Sequence, residues 1–299
     1  MLANLANEVN FKKVFTDTEV FCAFVKDVLG IDIEVDKIET EKILTPNVAA
    51  IKFRMDIFAE SRDKRVAVEI QKIDYDYTYD RFSHYFFANL VAVQRSSHEY
   101  AFEQEVYLIV VVTSAYRISE QNGRPILDDV LVTDTNPRTL SGEMRDMHQH
   151  KMVLLNTFHA NADTPEAILD WLTLIRESMY NPRDPHVNTS KAAIAKAVAL
   201  ADYDQFDGEE LYESKIAEMR MAARAYYDNE ARQKGRNEGL TEGRAEGKAE
   251  GIRAGEKLAK DAAITKALQR GKLSLTEIAE DFEVSAEYVQ TIQANIAGK

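Results

Sequence analysis

The sequence predicts an α/β fold with a mixed sheet core in the order helix, three strands, helix, strand (αβββαβ), flanked by helices and followed by an α-helical C-terminal region. Three observations predict it. Residues 53–59 and 66–71 alternate with period two around a polar centre, Ser61-Arg62-Asp63-Lys64, which is the pattern of a hairpin. Residues 106–112 (VYLIVVV) form a continuous apolar run of strand length, as expected for a strand buried on both faces. Segments on either side of these strands carry apolar residues at helical spacing instead.

Taken in order, residues 10–29 place Phe11, Val14, Phe15, Phe21, Phe24, Val25 and Leu29 at largely helical spacings, with Gly30 as the stop. Strands follow at about 37–44 and 48–59, joined by Thr45-Pro46-Asn47, and then at 65–71. Tyr79, Phe82, Phe86, Leu90 and Val93 predict a helix over 79–93. Beyond the 106–112 strand the pattern weakens, with short strands at 128–133 and 152–156. A helix over 165–180 takes Thr164 as N-cap and Pro165 at its first position, and helices at about 189–201 and 209–231 follow.

Gly235, Gly239, Gly243, Gly247, Gly251 and Gly255 recur every fourth residue, with Glu238, Glu242, Glu246 and Glu250 as a second stripe. Six glycines cost an isolated helix about 1 kcal/mol each relative to alanine. The segment is therefore a flexible charged linker, or a helix whose glycines let another helix approach closely; the regular period favours helix–helix association. A helix over 262–270 closes at Gly271, Ser274 and Glu277 form a capping box for 275–282, and Ser285 caps 286–296. Residues 277–285 resemble a helix-turn-helix core. The second helix carries no basic residue, however, and 274–287 holds five acids, which favours protein contact over DNA reading. The division expected is an α/β domain at 1–180, a helical extension at 181–230, the tetrad helix or linker at 231–260, and a small helix-turn-helix-like module at 261–299.

One cysteine, Cys22, excludes an internal disulfide framework. The N-terminus has no uninterrupted apolar stretch of signal-peptide length and no apolar run reaches 18 residues, so the expectation is a cytoplasmic, unanchored protein. The net charge of −13 works against nucleic-acid binding unless basic groups cluster; residues 231–270 carry ten basic and six acidic side chains. No Walker, dinucleotide-binding or nucleophile-elbow pattern is present. His148 and His150 stand in a polar stretch without other ligands and are expected to be exposed.

The hairpin carries the chemistry. With Arg62 and Asp63 as its loop, residues whose numbers sum to 125 lie opposite each other, so Asp56 faces Glu69, and Gln71 shares the face of Glu69. Opposed like charges are destabilising, and a metal ion between them reverses the penalty. From spacing alone, an Asp and a Glu on one strand face are more often a solvated surface.

Four stretches in order carry a resemblance: Glu8-Val9-Asn10-Phe11-Lys12-Lys13-Val14-Phe15, Arg54-Met55-Asp56-Ile57, Val68-Glu69-Ile70-Gln71, and Arg81 with Tyr85. Together they resemble the recombination-promoting nuclease and transposase family of the PD-(D/E)XK superfamily, over roughly residues 4–113. The resemblance implies a restriction-endonuclease-like core and a metal-dependent DNA endonuclease linked to recombination or mobile-element activity. It implies Asp56, Glu69 and Gln71 as catalytic residues, with Asp56, Glu69 and the Ile70 carbonyl holding Mg²⁺ (or Mn²⁺). Glu8, Lys12, Arg81 and Tyr85 become supporting or substrate-binding residues. Two positions depart from the pattern: Glu8 stands where Asp is usual, and Gln71 replaces the superfamily lysine. Lys72 points to the opposite strand face, Lys12 supplies positive charge by family position, and Gln94 lies one residue out of register with a family position. The alternative is a catalytically decayed nuclease fold acting as an oligomeric interaction or DNA-binding protein. Expected partners are DNA, no membrane, and a second copy of the chain through 230–299.

Overall fold

Asp17 divides the first apolar segment in two. In the computed structural model, which describes residues 1–44, 53–71, 79–93, 102–113, 122 and 124–297, its carboxylate accepts the backbone N–H groups of Glu19 and Val20 at 3.1 Å each. This cap starts α2 (Thr18–Leu29) directly after α1 (Glu8–Phe15). The single helix expected over 10–29 is thus two, because an aspartate that satisfies free N-terminal donors outweighs continuous apolar spacing. Gly30 ends α2 at φ 71°, a left-handed conformation that glycine adopts without a Cβ clash.

Six strands form one mixed sheet: β1 (Ile38–Leu44), β2 (Phe53–Glu60), β3 (Lys64–Gln71), β4 (Glu105–Val112), β5 (Val130–Asp134) and β6 (Lys151–Asn156). Their spatial order is β1-β2-β3-β4-β6-β5. β3–β4 and β4–β6 are parallel, whereas β1–β2, β2–β3 and β5–β6 are antiparallel. Between β3 and β4 runs α3 (Asp80–Ala92). The turn expected at Thr45-Pro46-Asn47 lies outside the described residues.

Period-two alternation sends β3 and β4 side chains to two separate apolar layers. Val66, Val68, Ile109 and Val111 pack with Phe11, Phe15, Phe24 and Trp171, under α1, α2 and α4 (Glu166–Tyr180). Ala67, Leu108, Val110 and Val112 pack with Phe82 and Phe86 of α3 on the other side. This is why the 106–112 run has no polar face. Trp171 ties α1, α2 and α4 together: its ring centroid lies 5.8 Å from Phe15 and 5.4 Å from Phe24, and its Nε1–H donates to Asp27 at 2.8 Å.

Two further expectations are corrected. Thr164 is not the cap of α4, which begins after Pro165; its hydroxyl donates to Asp129 and accepts the Asn161 N–H. His150 is buried rather than exposed: its Nδ1 accepts the Val106 N–H at 2.9 Å and satisfies a main-chain donor near the start of the otherwise apolar β4.

After α5 (Ala192–Leu200) comes α6 (Gly208–Arg270), and the chain divides into two compact units, Met1–Ala225 and Tyr226–Lys299. In the second unit the glycine tetrad is helical, and a Cβ added at any of its six glycines meets nothing within 4 Å. The separate helix expected over 262–270 is the end of α6, since no glycine or proline stands between Gly255 and Gly271. The capping box of Ser274 and Glu277 forms and opens α7 (Leu275–Asp281), which packs with α8 (Ala286–Ala297) around Ile264, Ile278 and Val289. No helix among the described residues is long and apolar enough to cross a membrane.

Candidate active site

The β2–β3 ladder pairs Glu60 with Arg65, Ala59 with Val66, Phe58 with Ala67 and Ile57 with Val68. This is the register in which opposed numbers sum to 125, and the next pair in it is Asp56 and Glu69. There side chains enter the ladder. The Asp56 N–H donates to Glu69 Oε1 at 3.0 Å, and the Ile70 N–H donates to Asp56 Oδ2 at 2.9 Å. Each carboxylate therefore takes a main-chain donor from the opposite strand, and the two acids are held together at the point where regular strand pairing stops.

Burial dominates their electrostatics. Only 2 % of Glu69 is exposed. Desolvation pushes the Asp56 carboxyl up to about 6; Glu8 and Glu41 add to this, while the Ile70 N–H and Lys12 oppose it. Burial, followed by the charge of Asp56, holds Glu69 well above the usual carboxylate range, against the Asp56 N–H and Arg81. Two carboxylates thus sit where neither ionises easily, which is the condition a bound cation relieves.

α1 supplies the next layer. Glu8 and Lys12 stand one turn apart on one helix face, and the Lys12 ammonium bonds both Glu8 and Glu41. Burial works against the Lys12 charge, but these hydrogen bonds outweigh it and raise its pKa. Glu41 was not foreseen. It lies on β1 between Thr40, which pairs with Ile57, and Lys42, which pairs with Met55, and so stands beside Asp56. Its backbone is left-handed at φ 57°, an uncommon conformation for a residue other than glycine that costs about 1–3 kcal/mol. It also pairs with Arg54 at 3.1 Å. One carboxylate oxygen each from Glu8, Glu41 and Asp56 lie within 4.8 Å of one another. This acidic group contains Asp56 but not Glu69, and differs in that respect from the ligand set expected from the sequence.

The Gln71 side chain is buried, with Nε2 at 3.4 Å from Glu69 Oε2. On α3, the Arg81 guanidinium lies 5.8 Å from the centroid of the Tyr85 ring. Glu8, Lys12, Asp56, Glu69, Ile70, Gln71, Arg81 and Tyr85 all line one cavity of about 740 Å³. Ala217, Arg220, Met221 and Arg224 of α6 line it too, and no local sequence signal marked them. Lys72 and Gln94 lie outside the described residues. His150 and His148 take no part in the cavity; their rings stack with centroids 5.4 Å apart, beside Phe102.

Comparison with known proteins gives one match: the model of a family described as PD-(D/E)XK nuclease family transposase matches residues 5–232. No curated protein and no solved structure matches the chain.

Proposed function

The chain belongs to the PD-(D/E)XK nuclease family transposases, and from that premise we propose that it is a metal-dependent DNA endonuclease hydrolysing phosphodiester bonds in recombination or mobile-element reactions. The observation that carries this reading is the pair of buried Glu69 and half-buried Asp56, with both carboxyls held toward protonation at the wall of a cavity large enough for part of a nucleotide strand. The donor set suits a hard divalent cation, since it offers two carboxylates and the Ile70 main-chain carbonyl and no nitrogen or sulfur. The Glu8–Glu41–Asp56 group is the less favourable seat, because the Lys12 ammonium already bonds two of its members. Held by Asp56, Glu69 and the Ile70 carbonyl, Mg²⁺ or Mn²⁺ would supply charge stabilisation at phosphate oxygens and lower the pKa of water.

The remaining roles fall to side chains. The Gln71 amide orients the attacking water by hydrogen bonding; it neither takes a proton at neutral pH nor carries charge. Lys12 brings the positive charge that position 71 lacks, and Glu8 and Glu41 hold its ammonium beside Asp56. Arg81, packed on Tyr85 and acting on Glu69, serves the scissile phosphate. Incubating supercoiled plasmid with the purified chain in Mg²⁺, in Mn²⁺ and in EDTA tests the reading. Nicked or linear product is expected with either cation and not in EDTA; cleavage that persists in EDTA, or fails with both cations, ends it. Gln71 in place of lysine favours the second reading, a decayed nuclease fold, and calorimetry detecting no Mg²⁺ or Mn²⁺ binding would select it.

The same proposal keeps the division at 1–180, 181–230, 231–260 and 261–299, an unanchored cytoplasmic protein, and self-association through 230–299, where the tetrad glycines present open helix surface. Sedimentation should give a dimer or larger for the full chain and a monomer once 230–299 is removed. A full-length monomer removes self-association from the proposal.

A further inference from the structure

We propose that the start of α6 is a second DNA-contacting wall of the candidate active site, with Arg220 and Arg224 gripping backbone phosphates of the strand presented to Asp56 and Glu69. This rests on reading the cavity as a DNA site. Ala217, Arg220, Met221 and Arg224 are spaced three, one and three apart, so they share one helix face, and all four line the cavity that holds the carboxylate pair. Both arginines are exposed. Two positive side chains at this wall, on a chain of net charge −13, offer a seat for the phosphate backbone. Guanidinium groups suit the task because their fixed fork of N–H donors matches phosphate oxygens. Four residues of helix rise about 6 Å, the scale on which successive phosphates follow along one strand.

The wall is fixed in place, and α1 helps to fix it. The Asn7 side chain donates to the Ser214 carbonyl at 3.2 Å, and Ser214 is fully buried. Lys13 pairs with Glu210, and the Tyr203 hydroxyl donates to Glu218. α1 therefore presents Glu8 and Lys12 to the carboxylate pair on one face and, through Asn7 and Lys13, holds α6 on another. Arg220 and Arg224 thus stand on a helix anchored to the catalytic layer, which is what a phosphate grip needs if it is to set the strand's position over Asp56.

The test is fluorescence anisotropy of the full chain on a labelled 20-base-pair duplex in Ca²⁺, titrated at several salt concentrations. The double variant R220A/R224A should bind on the order of tenfold more weakly, and its salt slope should be shallower by about 1.8, or about 0.9 for each phosphate that is no longer neutralised. The charge-keeping variant R220K/R224K should retain most of the slope. Alanine is a good helix former at exposed positions, and an unchanged far-ultraviolet spectrum identifies a folded variant. Wild-type affinity and slope in the double alanine variant overturn the proposal, as does a wild type that does not bind the duplex at all. Because the readout is binding, a wild type that binds but does not cleave in Mg²⁺ refutes the nuclease reading alone.

Discussion

Asp56→Asn and Glu69→Gln each lower metal-dependent cleavage by about a thousandfold or more, yet leave the metal-free protein more stable than the wild type at neutral pH. The first effect follows from removing a ligand of the cation, which is worth several kcal/mol of barrier at about 1.4 kcal/mol per tenfold. The second follows from burial. Asp56 is raised from an ordinary 3.8 to about 6, so the folded state holds its proton more tightly than the unfolded chain does. The stability this contributes is complete below the unfolded value and is lost as the pH rises to about 6; above that the ionised buried carboxylate costs up to about 3 kcal/mol. An asparagine is neutral at every pH, and its amide oxygen still accepts the Ile70 N–H. The variant's advantage in urea denaturation should therefore be small near pH 4 and full by about pH 7. Mg²⁺ should raise the wild-type melting temperature and not that of either variant, since only a ligand that binds the native site shifts its stability. An Asp56→Asn protein that is less stable than the wild type at pH 7 and cleaves equally well would show the pair to be a structural hydrogen-bonding unit.

How far this site could be read from sequence depended on the length of the loop that sets each register. The β2–β3 loop is short and polar, so counting outward from Arg62 and Asp63 placed Asp56 against Glu69; four observed pairs follow that count. The β1–β2 connection is longer. A turn centred on Pro46 sets Glu41 against Ile51, whereas the pairs Thr40–Ile57 and Lys42–Met55 bracket Asp56. Glu41 was therefore invisible, as was its left-handed backbone, which no local pattern of glutamate signals. Arg220 and Arg224 were missed for another reason. Their helix was legible, but its approach to the cavity is set by Asn7 and Ser214, more than two hundred residues apart in sequence. The double burial of β4 was plain from its unbroken apolar run, whereas His150 was misjudged because its partner, the Val106 N–H, lies 44 residues away on β4.

Lys12→Met separates catalysis from metal binding. Cleavage at saturating Mg²⁺ should fall by about 10²–10³, the usual consequence of deleting one preorganised positive or hydrogen-bonding group facing developing charge. Affinity for Mg²⁺ should hold or rise, because the substitution removes a competing cation from beside Glu8, Glu41 and Asp56. Stability should move the other way from that of Asp56→Asn. The Lys12 pKa is raised by Glu41 and Glu8 against burial, so its charge and the stability it brings are fully present throughout the neutral range, below the unfolded lysine value. Methionine removes the ammonium shared by Glu8 and Glu41 and leaves Glu41 only its pairing with Arg54, and the loss should shrink as these carboxylates take up protons in acid. Lys12→Arg keeps the charge and should recover stability more fully than cleavage, since a planar fork does not reproduce a compact ammonium. A purely structural Lys12 predicts a different pattern: Lys12→Met would lose stability but retain its full rate at saturating Mg²⁺ below its melting temperature. A rate loss with intact metal affinity instead identifies Lys12 as the cation that Gln71 cannot be, delivered to the carboxylate pair from α1 rather than from the strand that carries Glu69.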